Sequence, residues 1–420
     1  MKSTKDEWVR LENASKIFPA VSGDKDSKVF RIVCELKEPV DPQVLQQALN
    51  ITIECFPLYK SVLRRGAFWY YFEESDIKPT VEPESRPVCS PIYYRGRHTL
   101  LFRVLYYRKR ISLEVFHALT DGTGAFWFMQ NMVQHYLLIK HQSALEGRKP
   151  ELLGNGSMSE KMNDSFQRHF IGSGVFKRNP DKKKATRAFQ LRGSRLEENR
   201  IQLIEGSMSV KSVLREAHEH DASLTIYLAS VFICSIYKSM TAWEKRRPVT
   251  LSVPVNLRQF YESGTARNFF TTISVSCHFT DSVISIEDII EVVKAEFEEG
   301  MKKENLAGYL DRLLALEKNL LAKAVPLPLK DLILRIGDRV INRGVTSSIS
   351  NVGKIKMPAG FDDYIQQFSC FLGARRPQLT LCSFGDRLVI SFSSPFKDSE
   401  IAKTFFQLLS NNKIEISSNL

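Results

Sequence analysis

Apolar residues run almost unbroken over residues 29–36, a pattern that predicts a strand, and then recur at helical spacing over 42–56, where Pro57 ends the helix. The runs 68–72, 99–107 and 111–116, the last two joined by the basic turn Arg108–Arg110, predict antiparallel strands. After a loop at His117 to Gly122, apolar spacing predicts a helix over about 124–140. Periodicity then fades from 143 to about 195. Beyond that stretch, helices at 209–218 and 223–237 lead into strands at 249–255 and 269–279, and further helices follow between about 286 and 342. Short alternating strands return at 347–352, 366–372, 378–384 and 388–393, with Gly385-Asp386 as a hairpin turn.

Two strands, a tight turn, a loop and an amphipathic helix occur at 99–140 and again at 378–409. Aligning strands 111–116 and 388–393 puts Ser394 opposite His117 and Asp398 opposite Asp121. Only the first copy keeps a titratable base, so one active site per chain is expected.

At 420 residues and 43% apolar composition, the chain can fill two cores of ordinary size. The expected division is a first half at 1–175, a basic crossover linker at 176–195 and a second half at 196–420. The first ten residues lack the apolar stretch of a secretory signal, so a cytoplasmic location is expected. The apolar uncharged run 222–237 falls short of the roughly 18 to 20 residues that cross a bilayer and reads as a buried helix, so no membrane span is expected. Seven widely spaced cysteines form no CxxC pair, and His218 and His220 have no such pair to complete a zinc site; reduced core thiols and no metal are expected.

The net charge of +12 suits an anionic partner: a phosphate-bearing cofactor, an acidic carrier domain, a nucleic acid or a membrane surface. Lys177 to Arg192 carries seven basic residues against one Asp, the pattern of a solvated basic loop. No aromatic stacking platform, helix-turn-helix or RNP pattern occurs, which argues against a nucleic acid.

The segment Phe116-His117-Ala118-Leu119-Thr120-Asp121-Gly122 places a histidine at the mouth of a strand, where a rigid scaffold holds a ring able to accept a proton at neutral pH. Asp121 lies too close along the chain to assume a bond to that ring, and a cation from the other half is its expected partner. This HxxxDG pattern, followed by the aromatic helix residues Phe126, Trp127 and Phe128, resembles the signature of the chloramphenicol acetyltransferase, condensation-domain and BAHD superfamily of acyltransferases. Condensation domains carry two adjacent histidines, and here Phe116 holds the first position. That departure points away from peptide-bond synthesis and leaves His117 intact. Ser252-Val253-Pro254-Val255-Asn256-Leu257-Arg258 resembles the strand and turn that carry a family arginine, and Arg267-Asn268-Phe269-Phe270 the segment after it. Ser347-Ser348-Ile349-Ser350-Asn351-Val352-Gly353 resembles a strand that faces polar groups toward the catalytic histidine.

The order of elements is closest to bacterial alcohol acetyltransferase-like proteins. The resemblance implies an α/β (α+β) fold of two similar chloramphenicol acetyltransferase-like sandwich subdomains with a tunnel between them. It implies His117, Asp121 and Gly122 as the catalytic motif, Arg258 as the structural partner of Asp121, and Ser350 and Asn351 as oxyanion donors or tunnel wall. It further implies acyl transfer, expected to be of acetyl, from a coenzyme A thioester to an alcohol or amine, without an acyl-enzyme. The absence of a GxSxG elbow agrees with direct transfer. No permanently bound cofactor is expected, and coenzyme A thioester enters as co-substrate. The alternatives are a condensation-type enzyme using thioesters on an acidic acyl carrier protein, and a catalytically silent binding module.

Overall fold

The segment read as a continuous apolar strand, Val29–Leu36, is buried at nearly every position because it lies inside a sheet, with paired strands on either side. The computed structural model describes residues 8–11, 13–151, 165–169, 187–279, 285–308, 324–373, 375–412 and 414–418.

The first half runs β1 (Trp8–Arg10), α1 (Ile17–Val21), β2 (Val29–Leu36), α2 (Pro42–Glu54), β3 (Ser61–Arg65) and β4 (Tyr70–Glu74). It continues with β5 (Val81–Pro83), β6 (Phe102–Tyr107), β7 (Arg110–Phe116) and α3 (Gly122–Lys140). After the short α4 (Ser165–His169) come β8 (Gln202–Ser209), α5 (Val210–Glu219), α6 (Leu224–Ser239), β9 (Val249–Asn256) and β10 (Phe270–Cys277). Then follow α7 (Ile286–Met301), α8 (Leu327–Arg343), β11 (Ser347–Ile355), β12 (Ile365–Leu372), β13 (Gln378–Phe384), β14 (Arg387–Ser394), α9 (Glu400–Asn411) and β15 (Ser417–Ser418). Of the basic stretch at 177–192, residues 177–186 lie outside the described residues.

Five strands are absent from the expected set: β1, β3, β5, β8 and β15. The reason is plainest for β8, whose inward positions are Ile204, Gly206 and Met208. A Cβ at Gly206 would stand 2.3 Å from the Phe406 ring, so packing demands a glycine in the middle of the apolar stripe and breaks the alternation.

The two main sheets repeat one plan. The first has strand order β12-β2-β7-β6-β5, and the second contains β15-β8-β14-β13-β11, extended by β9 and β10. In both, the central hairpin is antiparallel and its outer strand pairs in parallel with the next, β6 with β5 and β13 with β11. Both hairpin turns open on a residue with positive φ, Arg108 in the first and Gly385 in the second. Matching the hairpins turn for turn sets Ser394 opposite His117. β12 leaves the second half and pairs with β2, so the halves share a sheet as well as an interface.

Each sheet holds its own core. Leu45, Leu49, Phe128 and Met132 of α2 and α3 close the first, and Phe232, Phe405 and Phe406 of α6 and α9 close the second. Burial of this kind stabilises by roughly 25 cal/mol per Å² of apolar surface. All seven cysteines are free and six are buried. No single described helix is long and apolar enough to cross a membrane; α5 and α6 pass that test only as a pair bent by 81°.

Candidate active site

β7 ends at Phe116, and the backbone N–H of His117 still donates to the Lys28 carbonyl at 2.8 Å, so the ring projects from the last rung of a rigid sheet. Phe18 of α1 stacks on it at 4.4 Å and 13°, and Phe30 meets it edge-on at 5.1 Å. Nδ1 lies 3.2 Å from Oδ1 of Asn268. The amide nitrogen of Asn268 donates to Ser15 Oγ at 2.7 Å and to the His117 carbonyl at 2.9 Å, so its oxygen is the atom turned to the ring. An amide oxygen only accepts. Nδ1 therefore carries the hydrogen, and Nε2 keeps its lone pair for a substrate proton. Burial holds the imidazole below its ordinary value of 6.5, against the opposing pull of hydrogen bonds and of the Asp121 charge.

Asp121 is buried, and its carboxylate is fully engaged elsewhere. Oδ1 caps α3 by accepting from the Gly124 N–H at 3.0 Å. Oδ2 accepts from Arg258 Nη1 at 2.7 Å and from the Phe269 N–H at 2.9 Å. Among the described residues no hydrogen bond joins Asp121 to the His117 ring. Arg258 spends its other N–H groups on the carbonyls of Thr265 and Arg267 and on Asn256 Oδ1, and its guanidinium lies over Trp127. Asn256 donates to Thr123 Oγ1 at 3.1 Å, and Thr120 Oγ1 donates to the Ala266 carbonyl. One segment of the second half, Asn256 to Phe269, thus grips the whole histidine loop of the first.

The two glycines of the loop have different duties. A Cβ at Gly122 would meet nothing within 4 Å, whereas one at Gly124 would stand 2.1 Å from the Ala266 carbonyl oxygen and 2.3 Å from Thr120 Oγ1. Gly122 lines the site, and Gly124 lets the halves close on each other. Gly124→Ala is expected to lower stability by about 1–3 kcal/mol in denaturant titration, while Gly122→Ala folds like the parent.

A cavity of about 370 Å³ lies between the halves, and its wall includes Phe30, His117, Asn256, Phe270, Phe297 and Ser350. Asp121, Gly122 and Asn351 also reach it; Arg258 lies behind the wall. Asn351 donates to Thr225 Oγ1 at 2.8 Å and accepts from the Gly353 N–H at 2.8 Å, at the irregularity where β11 shifts register. The Ser350 hydroxyl has no partner among the described hydrogen bonds, so of the two it is the freer donor. Asn268, Asn256 and Phe18 carry no assignment in the sequence reading. The 267–270 segment was singled out, but nothing in it told that Asn268 faces a ring 151 residues away.

No protein-family model matches the chain, and no curated protein matches it. Solved structures do. The trichothecene 15-O-acetyltransferase from Fusarium sporotrichioides aligns at TM-score 0.64 and 8% identity, over 98% of this chain and 95% of that one. The first condensation domain of the calcium-dependent antibiotic synthetase, in complex with a substrate analogue, aligns at 0.62 and 13%, over 98% and 99%. A point mutant of the starter condensation domain of rhizomide synthetase, in complex with C8-CoA, aligns at 0.62 and 11%, over 97% and 94%. At these identities the likeness establishes the fold, the pseudo-dimeric chloramphenicol acetyltransferase-like fold of condensation and acyltransferase domains.

Proposed function

We propose that this chain is a cytoplasmic acyltransferase that moves an acyl group, acetyl in the simplest case, from a coenzyme A thioester to an alcohol or amine, with His117 as general base. The observation that carries the reading is the tautomer held by Asn268, with Nε2 of His117 basic in a cavity shared by both halves. Nε2 takes the proton from the acceptor as its oxygen or nitrogen attacks the thioester carbonyl. The carbonyl π pair moves to oxygen, and the Ser350 hydroxyl donates to that oxyanion, with Asn351 beside it in the wall. Collapse re-forms the carbonyl, breaks the C–S bond and expels the thiolate, which takes the proton back from Nε2. The subdomains are 1–175 and 196–420, with the crossover at 176–195.

Coenzyme A phosphates suit the net charge of +12, and one protein of like fold is in complex with C8-CoA. The second reading, a condensation-type enzyme drawing on an acidic carrier protein, is favoured by the fold shared with condensation domains and by the same charge. Thiol release from acetyl and longer acyl coenzyme A, with a panel of alcohols and amines, tests the proposal. Release that needs an acceptor and disappears with His117→Ala supports it. Release only from carrier-bound thioesters moves the reading to the alternative, and no release from either leaves a binding module of the same fold. Ser350→Ala is expected to lower turnover by roughly 100-fold, the usual loss for one oxyanion donor, with KM nearly unchanged.

A further inference from the structure

Helix α8 turns an apolar stripe to solvent. Leu329, Leu332, Ile333, Ile336, Val340 and Ile341 are 49–67% exposed, and they make up half of the twelve exposed large apolar residues among the described residues. The spacing of Leu329, Ile333, Ile336 and Val340 places them on one face of the helix. Exposed Phe68 lies near the start of α8, because the β3–β4 turn meets the helix there through the Leu327 N–H to the Ala67 carbonyl at 2.9 Å. A patch of this extent on a soluble chain marks a contact surface.

Charge selects the partner. Both acids of α8 face inward and are neutralised there: Asp331 accepts from Tyr70 at 2.9 Å and lies near Arg65 and Arg95, and Asp338 pairs with Arg375. The outward residues are apolar or basic, with Arg339 and Arg343 exposed beside the stripe, and no described acid of the helix stands there. A second copy seated on this face would bring the same arginines together on chains of net charge +12. An anionic bilayer meets both features at once, taking the apolar face among its acyl chains and the arginines at its headgroups.

We propose that α8, with Phe68, docks the protein peripherally on an anionic membrane surface. The docking is read without any substrate, so its failure and the failure of the acyltransferase reading are separate results. The experiment is co-sedimentation of the full chain with phosphatidylcholine vesicles, with and without phosphatidylglycerol. Binding is expected to vesicles that contain phosphatidylglycerol, about ten-fold stronger than to phosphatidylcholine alone, and weakened by salt. Ile333→Asp/Ile336→Asp should lower it about ten-fold or more at unchanged melting temperature, since both side chains are exposed. Arg339→Glu/Arg343→Glu should remove the preference for phosphatidylglycerol and leave the weaker binding. No binding to the anionic vesicles, or equal binding by the Ile333→Asp/Ile336→Asp variant, overturns the proposal. So does a dimer, seen by light scattering, that this variant converts to monomer: the face is then an interface between copies.

Discussion

Replacing His117 with alanine lowers turnover by about 100-fold or more, the usual size for a lost general base, while donor affinity stays nearly unchanged. The split follows from the geometry. In the proposed mechanism the imidazole meets the reacting centre from the cavity wall, whereas a thioester donor long enough to reach it would have most of its surface against other lining residues, Phe30, Phe270 and Phe297 among them. Steady-state kinetics on an acceptor the parent acylates, with donor binding measured separately, checks both halves of the expectation. Wild-type turnover in the variant would remove His117 from the mechanism and leave only the fold. The pH profile of the parent has a sign fixed by the site. Burial lowers the ring's pKa below 6.5, so the neutral base persists into more acidic solution than a free imidazole would. Activity should be flat near pH 7 and fall only at a pH below that ordinary value. Asn268→Leu, which frees the ring from its amide, tests the tautomer within the same measurement, since an unheld ring also presents Nε2–H.

The second large effect is on stability. Arg258→Met leaves the Asp121 carboxylate charged and buried without its cation, and removal of one partner from such a pair typically costs about 3–5 kcal/mol. The two halves meet through this bond, and the variant also loses the N–H donors that Arg258 gives to the Thr265 and Arg267 carbonyls. Asp121→Asn together with Arg258→Met should recover part of the loss, because no net charge then stays buried while the asparagine oxygen can still accept from a backbone N–H. Denaturant titration of the single and double variants measures the coupling. Equal losses in the two would mean that the pair contributes packing and not charge compensation.

How far the chain could be read from its own pattern varies by element, and the variation has a cause. The hairpin at 378–394 was read almost to the residue, since a turn glycine and strict alternation are local properties. β8 was missed because Gly206 answers to a ring on α9, distant in sequence. At the site, the HxxxDG spacing marked His117 and Asp121, and a turn of backbone was enough to suggest that the two side chains part company. Which glycine closes the loop was not legible: Gly122 belongs to the motif, yet Gly124 meets the Ala266 carbonyl. The ring's tautomer depends on Asn268, which in turn is oriented by Ser15 and the His117 carbonyl, three segments brought together from both halves.

By itself the sequence determined most of the alternation of strands and helices, the doubled hairpin and helix, and the histidine proposed as base, because each follows from side-chain chemistry and short-range spacing. Only the tertiary structure decided which groups surround that base, that β12 crosses to the first sheet, and that α8 keeps an apolar face in solvent. Those outcomes depend on close packing and hydrogen bonding between residues far apart in the chain, and no local pattern encodes a partner's position.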